Sequence, residues 1–200
     1  MINIYIIIDI NNLYYDIIRK MNGYLEIAIG PMFASKTSWL IQLYNQYTVY
    51  TTKIIVVNYI DDKRYGENSV TMCTHNHTTI PCLNTKKLYD LNILDDEIDI
   101  ILVNEGQFFP DLVEWTKEMV DTRGKKVYIC GLDGDYKREK FGDILQLIPL
   151  CDKVSKLTAL CGSCKNGTKA IFTKRITNSK EQVLIGEKEH YLPVCRKCFI

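Results

Sequence analysis

The chain has 200 residues, a formal net charge of +1, and 46% apolar against 24% charged side chains. That is the balance of a soluble globular chain the size of one domain, or of one domain with a small appendage. With almost no net charge there is no bulk electrostatic signal for nucleic acid or for a membrane surface, so a small molecule is the expected partner. The longest apolar run, Ile4–Ile10, contains Asp9 and falls far short of the roughly 18–20 residues of a membrane span. No signal-peptide pattern opens the chain, and the expectation is a cytoplasmic protein.

Residues 1–22 are rich in Ile, Asn and Tyr and carry no recognisable site, so they read as an N-terminal extension of unknown role, with Met21 as an alternative start. The first strongly patterned element is Tyr24–Ile29, a short apolar strand that runs into Gly30-Pro31-Met32-Phe33-Ala34-Ser35-Lys36-Thr37. Residues 38–50 follow with helical spacing of Leu40, Ile41, Leu43, Tyr44 and Tyr47. Further buried strands are expected over 53–59, 98–103 and 127–132, with an amphipathic helix over 110–123 that carries Leu112, Trp115 and Met119 on one face. Continuous apolar strands alternating with helices predict an α/β fold, a parallel sheet covered by helices on both faces.

A strand, a loop ending in Lys-Thr and then a helix is the arrangement that cradles a triphosphate, with backbone N–H groups and the helix N-terminus aimed at the phosphates. In that role Lys36 reaches the β- and γ-phosphates and the Thr37 hydroxyl ligates Mg²⁺. The usual GxxxxGK[ST] pattern has glycine where this chain has Ser35. A non-glycine residue at positive φ costs about 1–2 kcal/mol, so the loop is expected to be strained rather than abolished. Taken alone, this degenerate match fits an ordinary strand–turn–helix corner equally well. The third strand ends in Asn104-Glu105, and ligands of parallel sheets sit at such carboxyl ends. Glu105 there could accept a proton from an attacking hydroxyl, or it could merely cap a surface turn.

From Cys161 the texture changes. Of eight cysteines, four are scattered at Cys73, Cys82, Cys130 and Cys151, and four form two CxxC pairs, Cys161/Cys164 and Cys195/Cys198. In a reducing compartment such pairs read as metal ligands, and four thiolates make a closed, structural Zn²⁺ site. Short β-prone pieces at 170–176 and 182–185 lie between the pairs, suggesting a small ribbon. His75 and His77 lie in a polar stretch without partners and read as surface residues.

Several of these segments resemble the thymidine kinases of the cellular and poxvirus type. GPMFASKTS is similar to that family's GPMFSGKST loop, NEGQFFPDLVE to its DEGQFFPDIVE, and LDGDYKREKFG to its LDGTFQRKPFG. IPLCDKVSKLTALC, FTKRI and HYLPVCRKCF match in order, and the resemblance covers about residues 24–200. It implies transfer of the γ-phosphate of ATP to the 5′-hydroxyl of thymidine, and of deoxyuridine, with Mg²⁺ and a structural Zn²⁺. It implies a P-loop ATP-binding domain over 23–157 and a zinc-binding domain over 158–200 that carries a lasso-like lid. Glu105 would be the general base. Gly30, Pro31, Met32, Phe33, Ala34, Ser35, Lys36, Thr37, Asp62, Arg64, Asn104 and Gln107 would hold ATP. Met32, Phe108, Leu132 and Tyr136 would line the thymine ring, and Thr173, Leu184, Ile185, Gly186 and Tyr191 of the lasso would close over it; Lys174 and Arg175 complete the family's TKR. A homotetramer is the expected assembly, without nucleic acid or membrane.

Two departures stand out beside that likeness. Ser35 replaces a glycine, and Asn104 replaces an aspartate that helps hold Mg²⁺ in the family. Asparagine keeps an oxygen acceptor and loses the charge, so weaker metal binding is expected. Both changes fall in the phosphate and metal machinery, which leaves a catalytically weakened nucleotide- or nucleoside-binding homologue as the alternative reading.

Overall fold

The computed structural model describes residues 23–49, 51–60, 71–73, 79–93, 98–178, 181–182 and 189–200. The extension at 1–22, Asp62 and Arg64, the histidines at 75 and 77, and Leu184, Ile185 and Gly186 lie outside the described residues.

The expected strands appear as β1 (Tyr24–Ile29), β2 (Ile54–Tyr59), β6 (Ile100–Val103) and β7 (Lys126–Gly131). Between β2 and β6 lie the short strands β3 (Thr71–Cys73), β4 (Thr79–Pro81) and β5 (Leu83–Thr85); β8 (Lys153–Lys156) follows β7. Six of these form one parallel sheet in the order β5-β2-β6-β7-β1-β8. β3 and β4 pair separately as an antiparallel ribbon. Because β1 lies between β7 and β8, and β6 on the far side of β7, the loops leaving β1, β6 and β7 open at the same end of the sheet.

Strand alternation divides the core into two layers. Leu25, Ile27, Ile29, Ile101, Val103, Val127 and Ile129 face one side, where they pack on Leu112, Trp115 and Met119 and on Ile144 and Leu147. Ala28, Ile100, Leu102, Tyr128 and Cys130 face the other and meet Leu40 and Ile41 of helix α1 (Lys36–Tyr47). Both faces are therefore covered, which is why apolar residues dominate β1, β2, β6 and β7, with Glu26 and Asn58 among them. The helix expected over 110–123 is α2 (Leu112–Lys117), continued by a π-helical turn at Glu118–Thr122 and closed by Gly124 at φ 62°. Trp115 is 1% exposed, so truncating it to alanine should cost about 3–5 kcal/mol.

A third, smaller core holds the C-terminal part together. β9 (Ala159–Leu160) pairs with β10 (Lys169–Ala170), and β11 (Phe172–Arg175) with β12 (Tyr191–Val194), after which α3 (Arg196–Phe199) ends the chain's regular structure. Ala159, Cys161, Ala170, Val194 and Cys195 are its buried residues. β11 pairs antiparallel with β12; of the β-prone piece expected over 182–185 only Gln182 is described, and it lies in a bend. Phe33, from the loop after β1, packs against this third core and so ties it to the main sheet.

Candidate phosphate and nucleoside site

The loop between β1 and α1 is shaped by three backbone positions. At Gly30 a Cβ would lie 2.4 Å from the Leu157 carbonyl oxygen, so only glycine allows β1 to pass this close to the segment after β8. Phe33 (φ 64°) and Ser35 (φ 60°, ψ 27°) are both left-handed. The strain expected at Ser35 is thus present in the backbone, and its hydroxyl makes no capping bond to α1 that would offset it. Left-handed residues interposed in a turn swing successive N–H groups to one side, the concavity that receives anions. The 12-residue helix α1 starts there with no acidic residue in its first turn, leaving its positive end uncompensated by the helix itself. Lys36 is 8% exposed and its Nζ donates to the Pro31 carbonyl at 2.8 Å, folding the side chain back over its own loop.

Thr37 meets the end of β6. Its Oγ1 donates to Asn104 Oδ1 at 3.4 Å, a long bond, and Asn104 is 1% exposed. The next residue, Glu105, is also buried and is left-handed at φ 55°, ψ 44°. A non-glycine residue in that conformation persists only where its surroundings enforce it, and such residues gather at functional sites. Its carboxylate is held by Gln107, whose Nε2 donates to Glu105 Oε2 at 2.7 Å while its Oε1 accepts the Leu132 backbone N–H at 2.9 Å. Gly131 makes room for this amide, since a Cβ there would stand 2.4 Å from Gln107 Oε1. Gln107, placed among the ATP-binding residues by the resemblance, therefore spans the Glu105 carboxylate and the backbone at the end of β7.

The short 3₁₀ turn after Glu105 carries an aromatic group. Phe108 stacks on Tyr59 with ring centroids 5.2 Å apart and meets Phe141 edge-on at 5.4 Å. The β11–β12 ribbon reaches the β1–α1 loop through Thr173, whose Oγ1 accepts the Met32 backbone N–H at 2.9 Å. The burial of β11 alternates, which turns Thr173 and Arg175 inward. Arg175 is the residue given least weight by the sequence. Its guanidinium lies 3.8 Å from the centroid of the Tyr136 ring and donates to Tyr191 Oη at 2.5 Å and to the Gln182 carbonyl at 3.1 Å; it also donates to the Glu181 carbonyl. Gln182 Nε2 in turn donates to Asp135 Oδ2 at 3.0 Å. Arg175 thus gathers Tyr136, Tyr191 and the ribbon's connecting segment. Its sequence signal was its place in the TKR that matches the family's, a match that gave it no role of its own.

The four CxxC cysteines also come together. The Sγ atoms of Cys161, Cys164, Cys195 and Cys198 lie within 4.8 Å of one another, close enough to hold a metal ion. Backbone N–H groups of Cys164, Cys195 and Ser163 pull the Cys161 thiol down to about 6 against the effect of burial. Cys198, despite a hydrogen bond to Ser163, is pushed up to about 11 by the Cys195 and Cys161 thiols and by burial. A cation held among the four sulfurs would take the deprotonated form of each.

With this geometry in view, comparison with known proteins is specific. The family model for thymidine kinase matches residues 23–199. The thymidine kinase of Sheeppox virus (strain KS-1) is 45% identical over 177 residues, which is 88% of this chain and 97% of that protein. That of Yaba monkey tumor virus (strain VR587) is 41% identical over 181 residues, 90% of this chain and 97% of that protein. That of Vaccinia virus (strain Western Reserve) is 38% identical over 178 residues, 89% of this chain and 97% of that protein. The chain belongs to the thymidine kinase family.

Proposed function

We propose that this protein transfers the γ-phosphate of ATP to the 5′-hydroxyl of thymidine, and of deoxyuridine, releasing ADP and the nucleoside monophosphate. The observation that carries the reading is the Thr37–Asn104 contact, which joins the β1–α1 loop to the end of β6 and sets Glu105 beside that junction. In this reading residues 30–37 and the N-terminus of α1 receive the triphosphate, and Lys36 exchanges its bond to the Pro31 carbonyl for one to phosphate oxygens. Thr37 and Asn104 would hold Mg²⁺, which supplies charge neutralisation on the phosphates. Glu105 takes the proton of the 5′-hydroxyl as the oxygen attacks phosphorus, and the electron pair of the breaking P–O bond leaves with ADP. Gln107 keeps one carboxylate oxygen fixed, so the base is oriented before the nucleoside arrives.

Met32, Phe108, Leu132, Tyr136, Thr173 and Tyr191 would make the base-binding side, and Leu184, Ile185 and Gly186 belong to it by likeness to the family. Asp62 and Arg64 belong to the phosphate side by likeness to the family. Cys161, Cys164, Cys195 and Cys198 would hold a structural Zn²⁺ through their four thiolates. The fold division at residue 157, a homotetrameric assembly and a cytoplasmic location complete the proposal. Among the described residues no helix is long and apolar enough to cross a membrane.

Conversion of radiolabelled thymidine to its monophosphate by the zinc-loaded protein with ATP and Mg²⁺ tests the reading. The parent should be active, and Glu105→Gln should lose about 10²–10⁴-fold in kcat, the usual contribution of a general base. A parent that makes no monophosphate, or a Glu105→Gln variant as fast as the parent, would overturn it.

A further inference from the structure

Asn104 does not stand alone. Its Nδ2 donates to Asn58 Oδ1 at 2.9 Å, across from β6 to β2, and Asn58 is itself 5% exposed. Asn58 Nδ2 donates at 3.3 Å to the Tyr59 carbonyl and at 3.3 Å to Asn84 Oδ1 on β5. The orientation of both amides follows from one group. A backbone carbonyl is only an acceptor, so Tyr59 fixes which end of Asn58 carries the NH₂. Asn58 must then turn its oxygen toward β6, and Asn104 can bond to it only through its own NH₂. The remaining end of Asn104, its Oδ1, is thereby directed at Thr37 Oγ1, with the Cys130 thiol donating to the same oxygen at 3.1 Å. A carboxylate at position 104 would instead set an oxygen against Asn58 Oδ1, and Asn58 would have to turn away from the Tyr59 carbonyl to accommodate it.

We propose that Asn58 is a positioning residue for the nucleotide-bound metal: it holds the Asn104 amide so that Oδ1 points to the Thr37 side, and the two asparagines work as a matched pair. This rests on the kinase reading above. The metal is a hard divalent cation that takes oxygen ligands, and a neutral amide oxygen serves it only if that oxygen is kept in place. Asn58 touches neither substrate nor metal in this scheme and acts through Asn104 alone.

The experiment reads metal binding rather than turnover. Mn²⁺ is titrated into the zinc-loaded protein saturated with a non-hydrolysable ATP analogue, and free Mn²⁺ is followed by electron paramagnetic resonance. Analogue affinity with divalent ions chelated is measured separately by calorimetry. Asn58→Ala, which removes the acceptor for Asn104, should weaken Mn²⁺ by about tenfold, as loss of an outer-shell partner typically does. Asn58→Leu, which fills the space without an acceptor, should do the same and serves if the alanine variant does not fold. Asn58→Asp keeps an oxygen for Asn104 but gives up the donor to the Tyr59 carbonyl and Asn84 Oδ1, and should lose less Mn²⁺ affinity than Asn58→Leu. Metal-free analogue affinity should be unchanged in all three. Parent-like Mn²⁺ affinity in Asn58→Ala or Asn58→Leu would overturn the proposal, as would equal losses in Asn58→Asp and Asn58→Leu, the signature of a packing role. A parent that fails to bind the analogue would overturn the kinase reading and this inference together, whereas variants all alike on a binding-competent parent would overturn this inference alone.

Discussion

Replacing Ser35 with glycine should stabilise the protein while leaving its fold unchanged. Ser35 is exposed and sits at φ 60°, ψ 27°, where a side chain costs about 1–2 kcal/mol relative to glycine. Against this, glycine loses more freedom on folding, a cost of about 0.5–1 kcal/mol. No capping bond from the Ser35 hydroxyl is given up. The net gain is roughly 0.5–1 kcal/mol from these two terms, which for a chain of this length raises the melting temperature by about 1–4 °C. Differential scanning fluorimetry or calorimetry on zinc-loaded parent and Ser35→Gly protein would measure it. Ser35→Val should move the other way by more, because a β-branched side chain tolerates the left-handed region poorly. A lower melting temperature for Ser35→Gly, or no loss for Ser35→Val, would refute the claim that this loop stores strain at residue 35.

Three further outcomes follow from particular contacts. Gln107→Glu places a second carboxylate against Glu105; like charge disfavours the ionised base, so the acid limb of the kcat–pH profile should move to higher pH, and an unmoved limb would deny Gln107 its contact with the base. Stripping metal with a chelator, or Cys161→Ser, should abolish a stoichiometric zinc signal by elemental analysis and weaken thymidine binding in calorimetry, while far-ultraviolet circular dichroism retains the main sheet's signal. Burial and a hydrogen bond to Glu26 push the Tyr24 hydroxyl up to about 12. A raised value means the protonated tyrosine contributes stability that is complete below its ordinary titration and is lost as pH rises through the folded one. Tyr24→Phe should therefore be less stable than the parent at pH 8, by about 1 kcal/mol for one lost hydrogen bond, and the gap should close in denaturant titrations run between pH 10 and 12.

What the sequence made legible was set by how strongly burial writes itself into residue type. β1, β2, β6 and β7 lie in the sheet interior with helices or turns over both faces, so apolar residues dominate each, with Glu26 and Asn58 the buried polar ones among them. β8 belongs to the same sheet but forms its edge, and Lys153, Val154 and Lys156 are exposed, so the segment carries no such signal. β5, three residues long at the opposite edge, is equally silent. The cysteine pairs were legible because thiolate ligands need fixed spacing. The left-handed turn at Glu105 was not, since nothing in Asn-Glu-Gly states which residue takes the strain. The partnership of Asn58 with Asn104 was invisible for a different reason: the two are 46 residues apart and meet only because β2 and β6 are neighbours.

That last point changes how the two departures from the family pattern read. In the sequence they look alike, each a residue lost from the phosphate machinery. In the fold they differ in kind. Ser35 is a local change whose cost stays in its own backbone torsions, since its side chain faces solvent. Asn104 is a networked change: its NH₂ is used by Asn58, its oxygen is shared by Thr37 and Cys130, and Asn58 is held in turn by Tyr59 and Asn84. A strained turn can be corrected by one substitution, whereas a carboxylate restored at position 104 would meet an acceptor already turned toward it. The same distinction applies across the site, because the loop after β1 is bonded to β11 through Met32 and Thr173 and packed on the cysteine core through Phe33. The β1–α1 loop, the β11–β12 ribbon and the cysteine core are thus joined by contacts between distant parts of the chain, and each of their residues has to be read with the partner that the fold supplies.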